Sequence, residues 1–140
     1  MKAYTDGACR GGNPGHASCA FAIFLENYAA DLVKQFSTYL GPDLHTNNYA
    51  EYQGLIHLLD WAQTSGTTKL EIFCDSKLIV NQVSGVWKVE EPEISKMWMR
   101  AYGLCVRGRH TLQHVKGHSG NPGNEYVDKL CNIALDEVGL

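Results

Sequence analysis

Lys69-Leu70-Glu71-Ile72-Phe73-Cys74-Asp75-Ser76 is the stretch that decides how this chain folds. Lys69 to Cys74 is an apolar, β-rich run, and Asp75-Ser76 has the form of a helix start. Immediately upstream, Glu51, Leu55, Leu58 and Ala62 recur at helical spacing. They predict a helix from Asn47 to about Gln63, stopped by Ser65-Gly66. A strand reached through a helical crossover implies parallel pairing with an earlier strand. Three candidates precede it: Lys2 to Thr5, ending at Asp6-Gly7; Ala17 to Leu25; and Leu32 to Leu40. The glycine-rich turn Gly11 to Gly15 separates the first two, and Glu26-Asn27 supplies the next turn, so these strands read as an antiparallel meander.

Downstream, a helix is expected from Asp75-Ser76 to about Val83, and another within Ile94 to Val106. A strand over His110 to Val115 and a helix from about Asn124 to Asp136 close the chain. The order β-β-β-α-β-α-α-β-α predicts an α/β fold: a five-stranded mixed sheet, three antiparallel strands then parallel ones, flanked by helices. Open sheets of this kind place their sites beyond the carboxyl ends of parallel strands. Asp6 and Asp75, each at a predicted strand end, are therefore expected to be neighbours.

Hydrophobic residues form 44% of the 140-residue chain and charged residues 19%, which excludes a disordered polyampholyte and predicts one domain over 1–140. The longest apolar run, Cys19 to Leu25, is too short to cross a bilayer, and Met1 to Gly12 has no apolar leader core. A soluble cytoplasmic protein with no membrane partner is the expectation. Cysteines 9, 19, 74, 105 and 131 show neither CxxC nor zinc-ligand spacing, and are expected to be free and structural.

Taken singly, the acids have ordinary explanations. Asp6 suits an Asp-Gly turn, Asp75 a helix N-cap, and Asp128 the exposed flank of a helix whose stripe is Val127, Leu130, Cys131, Ala134 and Leu135. Glu51 either completes a capping box with Asn48 or faces the core with Leu55 and Leu58, which is costly without a proton, partner or metal. Taken together, carboxylates at strand ends and helix starts would converge on one edge of the sheet and repel one another, which favours a cation. An all-oxygen donor set suits a hard ion such as Mg²⁺ or Mn²⁺, and two such ions suit phosphodiester cleavage. The formal net charge of −3 argues against a nucleic-acid partner, but two divalent ions on four carboxylates would bring it to +1. His118, in the glycine-flanked stretch Lys116-Gly117-His118-Ser119-Gly120, is either merely solvated or a mobile proton carrier.

The segments Tyr4-Thr5-Asp6-Gly7-Ala8-Cys9 with Asn13-Pro14-Gly15, Thr46-Asn47-Asn48-Tyr49-Ala50-Glu51, Ile72-Phe73-Cys74-Asp75-Ser76, and Lys116 to Gly120 followed by Asn124-Glu125 and Asp128 occur in order. This set resembles the type 1 ribonuclease H family across nearly the whole chain. The resemblance implies an endonuclease that cuts the RNA strand of RNA/DNA hybrids and leaves 5′-phosphate and 3′-hydroxyl ends. It implies that Asp6, Glu51, Asp75 and Asp128 hold two Mg²⁺ ions, with Mn²⁺ a possible substitute, and that His118 assists proton transfer or product departure. Asn13, Asn47 and Asn48 resemble hybrid-contacting positions in the minor groove, where 2′-hydroxyls distinguish RNA from DNA. A monomer is expected.

Two departures stand out. Gly11-Gly12 adds one residue to the commonest spacing before Asn13. Val83 to Glu93 is short and acidic where many members carry a basic handle, as in the bacterial and archaeal forms that lack one. Weaker hybrid binding with a shallow salt dependence follows, and Trp87, Trp98 and Tyr102 are alternative contacts or packing residues. Another nuclease or transposase core with the same carboxylates would bring flanking DNA-binding segments. A catalytically inactive hybrid-binding module would dispense with the carboxylates and His118.

Overall fold

The first strand, β1, is Lys2–Arg10, and it runs four residues past the end expected for it at Asp6. The cause is its partner. The second strand, β2, is His16–Phe24 and pairs antiparallel with β1 at every position from Lys2↔Phe24 to Arg10↔His16. Ala8, Cys9 and Arg10 have little apolar alternation, so the sequence alone did not mark them as strand. The third strand, β3 (Leu32–Tyr39), continues the meander. These elements belong to a computed structural model that describes residues 1–26 and 31–140. The turn expected at Glu26-Asn27 lies partly outside the described residues.

Helix α1 (Asn47–Ser65) carries the chain across the sheet to β4 (Glu71–Cys74). As the crossover requires, β4 lies parallel to β1, with Lys2 to Thr5 aligned to Glu71 to Cys74. Helices α2 (Lys77–Val83) and α3 (Pro92–Gly108) follow, then β5 (Thr111–His114), parallel to β4, and α4 (Pro122–Glu137). The sheet order is β3-β2-β1-β4-β5. Both late strands are shorter than expected. Lys69 takes a left-handed φ of 58° just before β4 begins.

Two apolar layers hold the helices to the sheet. On one face, Leu55, Leu58 and Leu59 of α1 pack with Ala3, Ile23, Ile72, Leu104 and Ala101. On the other, Val127 and Cys131 of α4 pack on Ala20, Ala22 and Phe24, with Tyr4 beside them. Each fully buried leucine contributes about 1.5 to 3 kcal/mol by leaving water. Two glycines let α1 sit closer to β1 than side chains would permit. A Cβ on Gly7 would stand 2.3 Å from the Ala50 carbonyl carbon, and one on Gly54 2.6 Å from the Asp6 carbonyl oxygen. That approach delivers Glu51 to the strand. Among the described residues, no helix is long and apolar enough to cross a membrane.

Candidate carboxylate site

Asp6 is the first residue of β1 beyond the parallel ladder with β4, and Asp75 is the first residue after β4. They are brought together, although Asp6 lies within a strand rather than at its end. Asp6 is buried at 4% exposure and Glu51 at 8%, whereas Asp75 and Asp128 are half-buried. The competing local roles are filled by other residues. Ser76 caps α2, its Oγ accepting from Ile79 N at 3.3 Å, so the Asp75 carboxylate is not spent on capping. Thr46 caps α1 by accepting from Tyr49 N at 3.2 Å, and Glu51 forms no box with Asn48. Glu51 instead lies on the sheet-facing stripe of α1.

The acids form one electrostatic unit. Burial first, then the charge of Asp75 and more weakly that of Asp128, pushes the Asp6 carboxyl up to about 8. Burial, followed by Asp6 and Asp75, holds Glu51 well above the usual carboxylate range. The contact between the two carboxyls lowers Asp6 and raises Glu51. Gly7 N donates to Asp6 Oδ1 at 2.8 Å. Asp75 is raised by burial and by Asp128, against the opposing pull of His118 and His114. Buried, self-repelling carboxylates with oxygen donors and few neutralising partners fit a hard divalent cation.

His118 is exposed in the loop before α4, at a left-handed φ of 55°. The adjoining Gly117 passes so close to the site that a Cβ there would be 3.1 Å from Asp75 Oδ2. The loop is thereby seated beside the acid. Three neighbours escaped sequence reading. His114, paired in register with Cys74, faces Asp75 electrostatically. Buried Asn124 donates to Asp75 Oδ2 at 3.5 Å. Cys74, read as a plain core thiol, has its Sγ 3.8 Å from Glu51 Oε2. Ligand-capable atoms of Glu51, Cys74 and Asp75 lie within 4.8 Å of one another. Burial, then Glu51, pushes the Cys74 thiol up, so it stays protonated and donates to Glu51 Oε2.

The three asparagines cluster at the start of α1. Asn13 Oδ1 accepts from Asn47 N at 2.9 Å, and Gly15 and His45 exchange two backbone hydrogen bonds of 2.9 Å. The added glycine before Asn13 is thus absorbed in the turn, and Asn13 still reaches α1. Asn48 borders a hollow shared with Gln82, Lys88, Glu90 and Glu91. Trp98 is a packing residue, its Nε1 donating to the Gln82 carbonyl at 2.8 Å, whereas Trp87 and Tyr102 are exposed.

A mixed sheet in this strand order, with acidic side chains gathered where its central parallel strands end, defines a ribonuclease H-like protein. The sequence model of the ribonuclease H family, RNase H, matches residues 1–135, and the chain belongs to that family. It is 36% identical over 131 residues to a bifunctional protein of Mycobacterium tuberculosis, covering 94% of this chain but 34% of that one. The chain thus spans about a third of the length of that relative. It is 33% identical over 139 residues to Ribonuclease HI of Halobacterium salinarum, covering 99% of this chain and 65% of the relative. The crystal structure of RNase H1 from that archaeon superposes with a TM-score of 0.83 at 33% identity, covering 97% of each chain. LC11-RNase H1, solved in complex with an RNA/DNA hybrid, superposes at 0.82 with 31% identity, covering 98% of this chain and 97% of that one.

Proposed function

We propose that this chain is an endonuclease that hydrolyses the RNA strand of RNA/DNA hybrids, with Asp6, Glu51, Asp75 and Asp128 holding two Mg²⁺ ions, for which Mn²⁺ can substitute. The observation that carries the reading is the mutual burial and repulsion of Asp6, Glu51 and Asp75, with Asp128 beside them. The hybrid bound by LC11-RNase H1 supports the substrate class. When bound, two divalent cations supply the positive charge that offsets the carboxylates, activates water and stabilises the departing oxygen.

The chain's own residues set the rest. Glu51, which burial and its acidic neighbours hold well above the usual carboxylate range, would hold an ion in its deprotonated form, and the α1–β1 contact keeps it beside Asp6. Asn124 restrains Asp75 through Oδ2. His118, seated beside Asp75 on an exposed loop, carries a proton between site and solvent and eases product departure. Asn13 fixes the amino end of α1 so that Asn47 and Asn48 face the minor groove of the hybrid and its 2′-hydroxyls. Cleavage leaves a 5′-phosphate and a 3′-hydroxyl, and the chain acts as a monomer.

The test is a labelled RNA strand annealed to DNA, with RNA/RNA and single-stranded RNA as controls, in Mg²⁺, Mn²⁺ and EDTA. Cleavage of the hybrid alone, abolished by EDTA and by Asp6→Asn, is the expected result. A folded wild type that binds hybrid yet cuts it in neither metal would favour an inactive hybrid-binding module instead.

A further inference from the structure

The carboxylate pocket contains a soft donor as well as hard ones. Cys74 Sγ is 3.8 Å from Glu51 Oε2, and donors from Glu51, Cys74 and Asp75 lie within 4.8 Å of one another. Two ligands on one tetrahedral ion, at about 2.3 Å for sulfur and about 2.0 to 2.2 Å for oxygen, stand roughly 3.5 Å apart. The observed 3.8 Å is close to that spacing, and side-chain rotation has to draw in the rest of the group, whose donors lie within 4.8 Å of one another. A second observation concerns the sulfur itself. Ser76 N donates to Cys74 Sγ at 3.4 Å, the kind of backbone N–H contact that supports negative charge on a metal-bound thiolate. Cys74 is also held in register between Thr5 and His114 on β1 and β5, so the sulfur is placed by the sheet rather than by a loop.

A hard ion such as Mg²⁺ gains nothing from a thiol, whereas a borderline or soft ion gains a strong ligand. We infer that Glu51, Cys74 and Asp75 form a mixed oxygen–sulfur site that takes a thiophilic divalent cation, Zn²⁺ or Cd²⁺, in competition with the hard ions of the hydrolytic reaction. This rests on the reading of Glu51 and Asp75 as metal-holding residues given above. On binding, the sulfur–metal and oxygen–metal bonds form, the protons of the Cys74 thiol and the Glu51 carboxyl pass to solvent, and no oxidation state changes. The ion removes Glu51 and Asp75 from the carboxylate set, so its occupancy inhibits hydrolysis.

The experiment titrates Cd²⁺ into the metal-free full chain and follows thiolate-to-cadmium charge-transfer absorbance in the ultraviolet. Wild type is compared with Cys74→Ser, with Glu51→Gln, and with Cys9→Ser, which removes the half-buried thiol that donates to the His45 carbonyl. Circular dichroism establishes that each variant is folded. The absorbance should saturate at one Cd²⁺ per chain in wild type and Cys9→Ser, weaken in Glu51→Gln and vanish in Cys74→Ser. Excess Mg²⁺ should move the wild-type midpoint to higher Cd²⁺. In hybrid cleavage with Mg²⁺, the Cd²⁺ inhibition midpoint should rise about tenfold or more in Cys74→Ser. Absorbance that survives in Cys74→Ser, or is untouched by Glu51→Gln and Mg²⁺, overturns the site. Should Cys74→Ser fail to fold, the Glu51→Gln and Mg²⁺ arms decide. Charge transfer without any hybrid cleavage would count against the nuclease reading and leave this site standing, whereas cleavage without charge transfer would do the reverse.

Discussion

A carboxyl that keeps its proton to higher pH in the folded chain than in the unfolded one stabilises the fold in acid and loses that contribution as pH rises. Asp6, raised to about 8, and Glu51 and Asp75, also raised, all act in this direction when no cation is present. Their contribution is complete below about pH 4, the ordinary carboxylate range, and fades as pH rises, that of Asp6 through about 8. His57 and His110, both lowered by burial, act with the opposite sign, gaining stability as pH rises through their range. The informative quantity is therefore the difference between wild type and Asp6→Asn. In EDTA, Asp6→Asn should be the more stable protein at pH 8, by on the order of 2 kcal/mol, with the advantage shrinking toward pH 5. In Mg²⁺ wild type should recover and the variant should not. Thermal unfolding across pH measures this, and an advantage that does not change with pH would refute it. At this scale the neighbourhood of Asp6 and Asp75 was legible from their predicted strand ends, and the buried, sheet-facing placement of Glu51 from its spacing with Leu55 and Leu58. Cys74 and His114 were not, since their proximity to the acids depends on β4–β5 register and on which face of the sheet α1 covers.

At the scale of elements, the same short segments have to end a strand, start a helix and, on the proposed function, present a metal ligand. The chain separates the tasks. Ser76 caps α2 and Thr46 caps α1, while the neighbouring Asp75 and Glu51 carboxylates point elsewhere. Ser76→Ala should therefore cost about 1 kcal/mol of stability and leave Mg²⁺-dependent stabilisation close to that of wild type. Asp75→Asn should show the reverse, with little loss of stability in EDTA and most of the metal response gone. Denaturant unfolding with and without Mg²⁺ separates the two, and equal effects of both variants on the metal response would contradict the division. Element order and the parallel placement of β4 were legible because helical and strand periodicities alternate sharply between Asn47 and Cys74. The extension of β1 to Arg10 was hidden, because small residues along Gly7 to Cys9 carry no apolar signal and the pairing partner alone makes them strand.

At the scale of the whole molecule, charge is the constraint on binding a polyanion. The net charge is −3. The connection between α2 and α3, residues 84–91, offers Lys88 but sets Glu90 and Glu91 beside it, around the same hollow that Asn48 borders. The missing basic handle was legible from the length and acidity of that stretch. The division of the nearby aromatics was not, because only packing separates the anchored Trp98 from the exposed Trp87 and Tyr102. Each phosphate neutralised by a cationic side chain contributes about 0.9 to the log–log slope of affinity against salt. With so few cations near the proposed groove, hybrid binding by Asp6→Asn, the variant expected not to cleave, should show a slope of about −2 to −3. Replacing Glu90 and Glu91 by lysine removes two negative charges and adds two positive ones where the duplex would pass. Affinity should then rise, and the slope should steepen by about 1 to 2. A slope near −6 in the parent variant, or one unmoved by the two lysines, would mean that phosphates are gripped by a basic surface elsewhere on the fold.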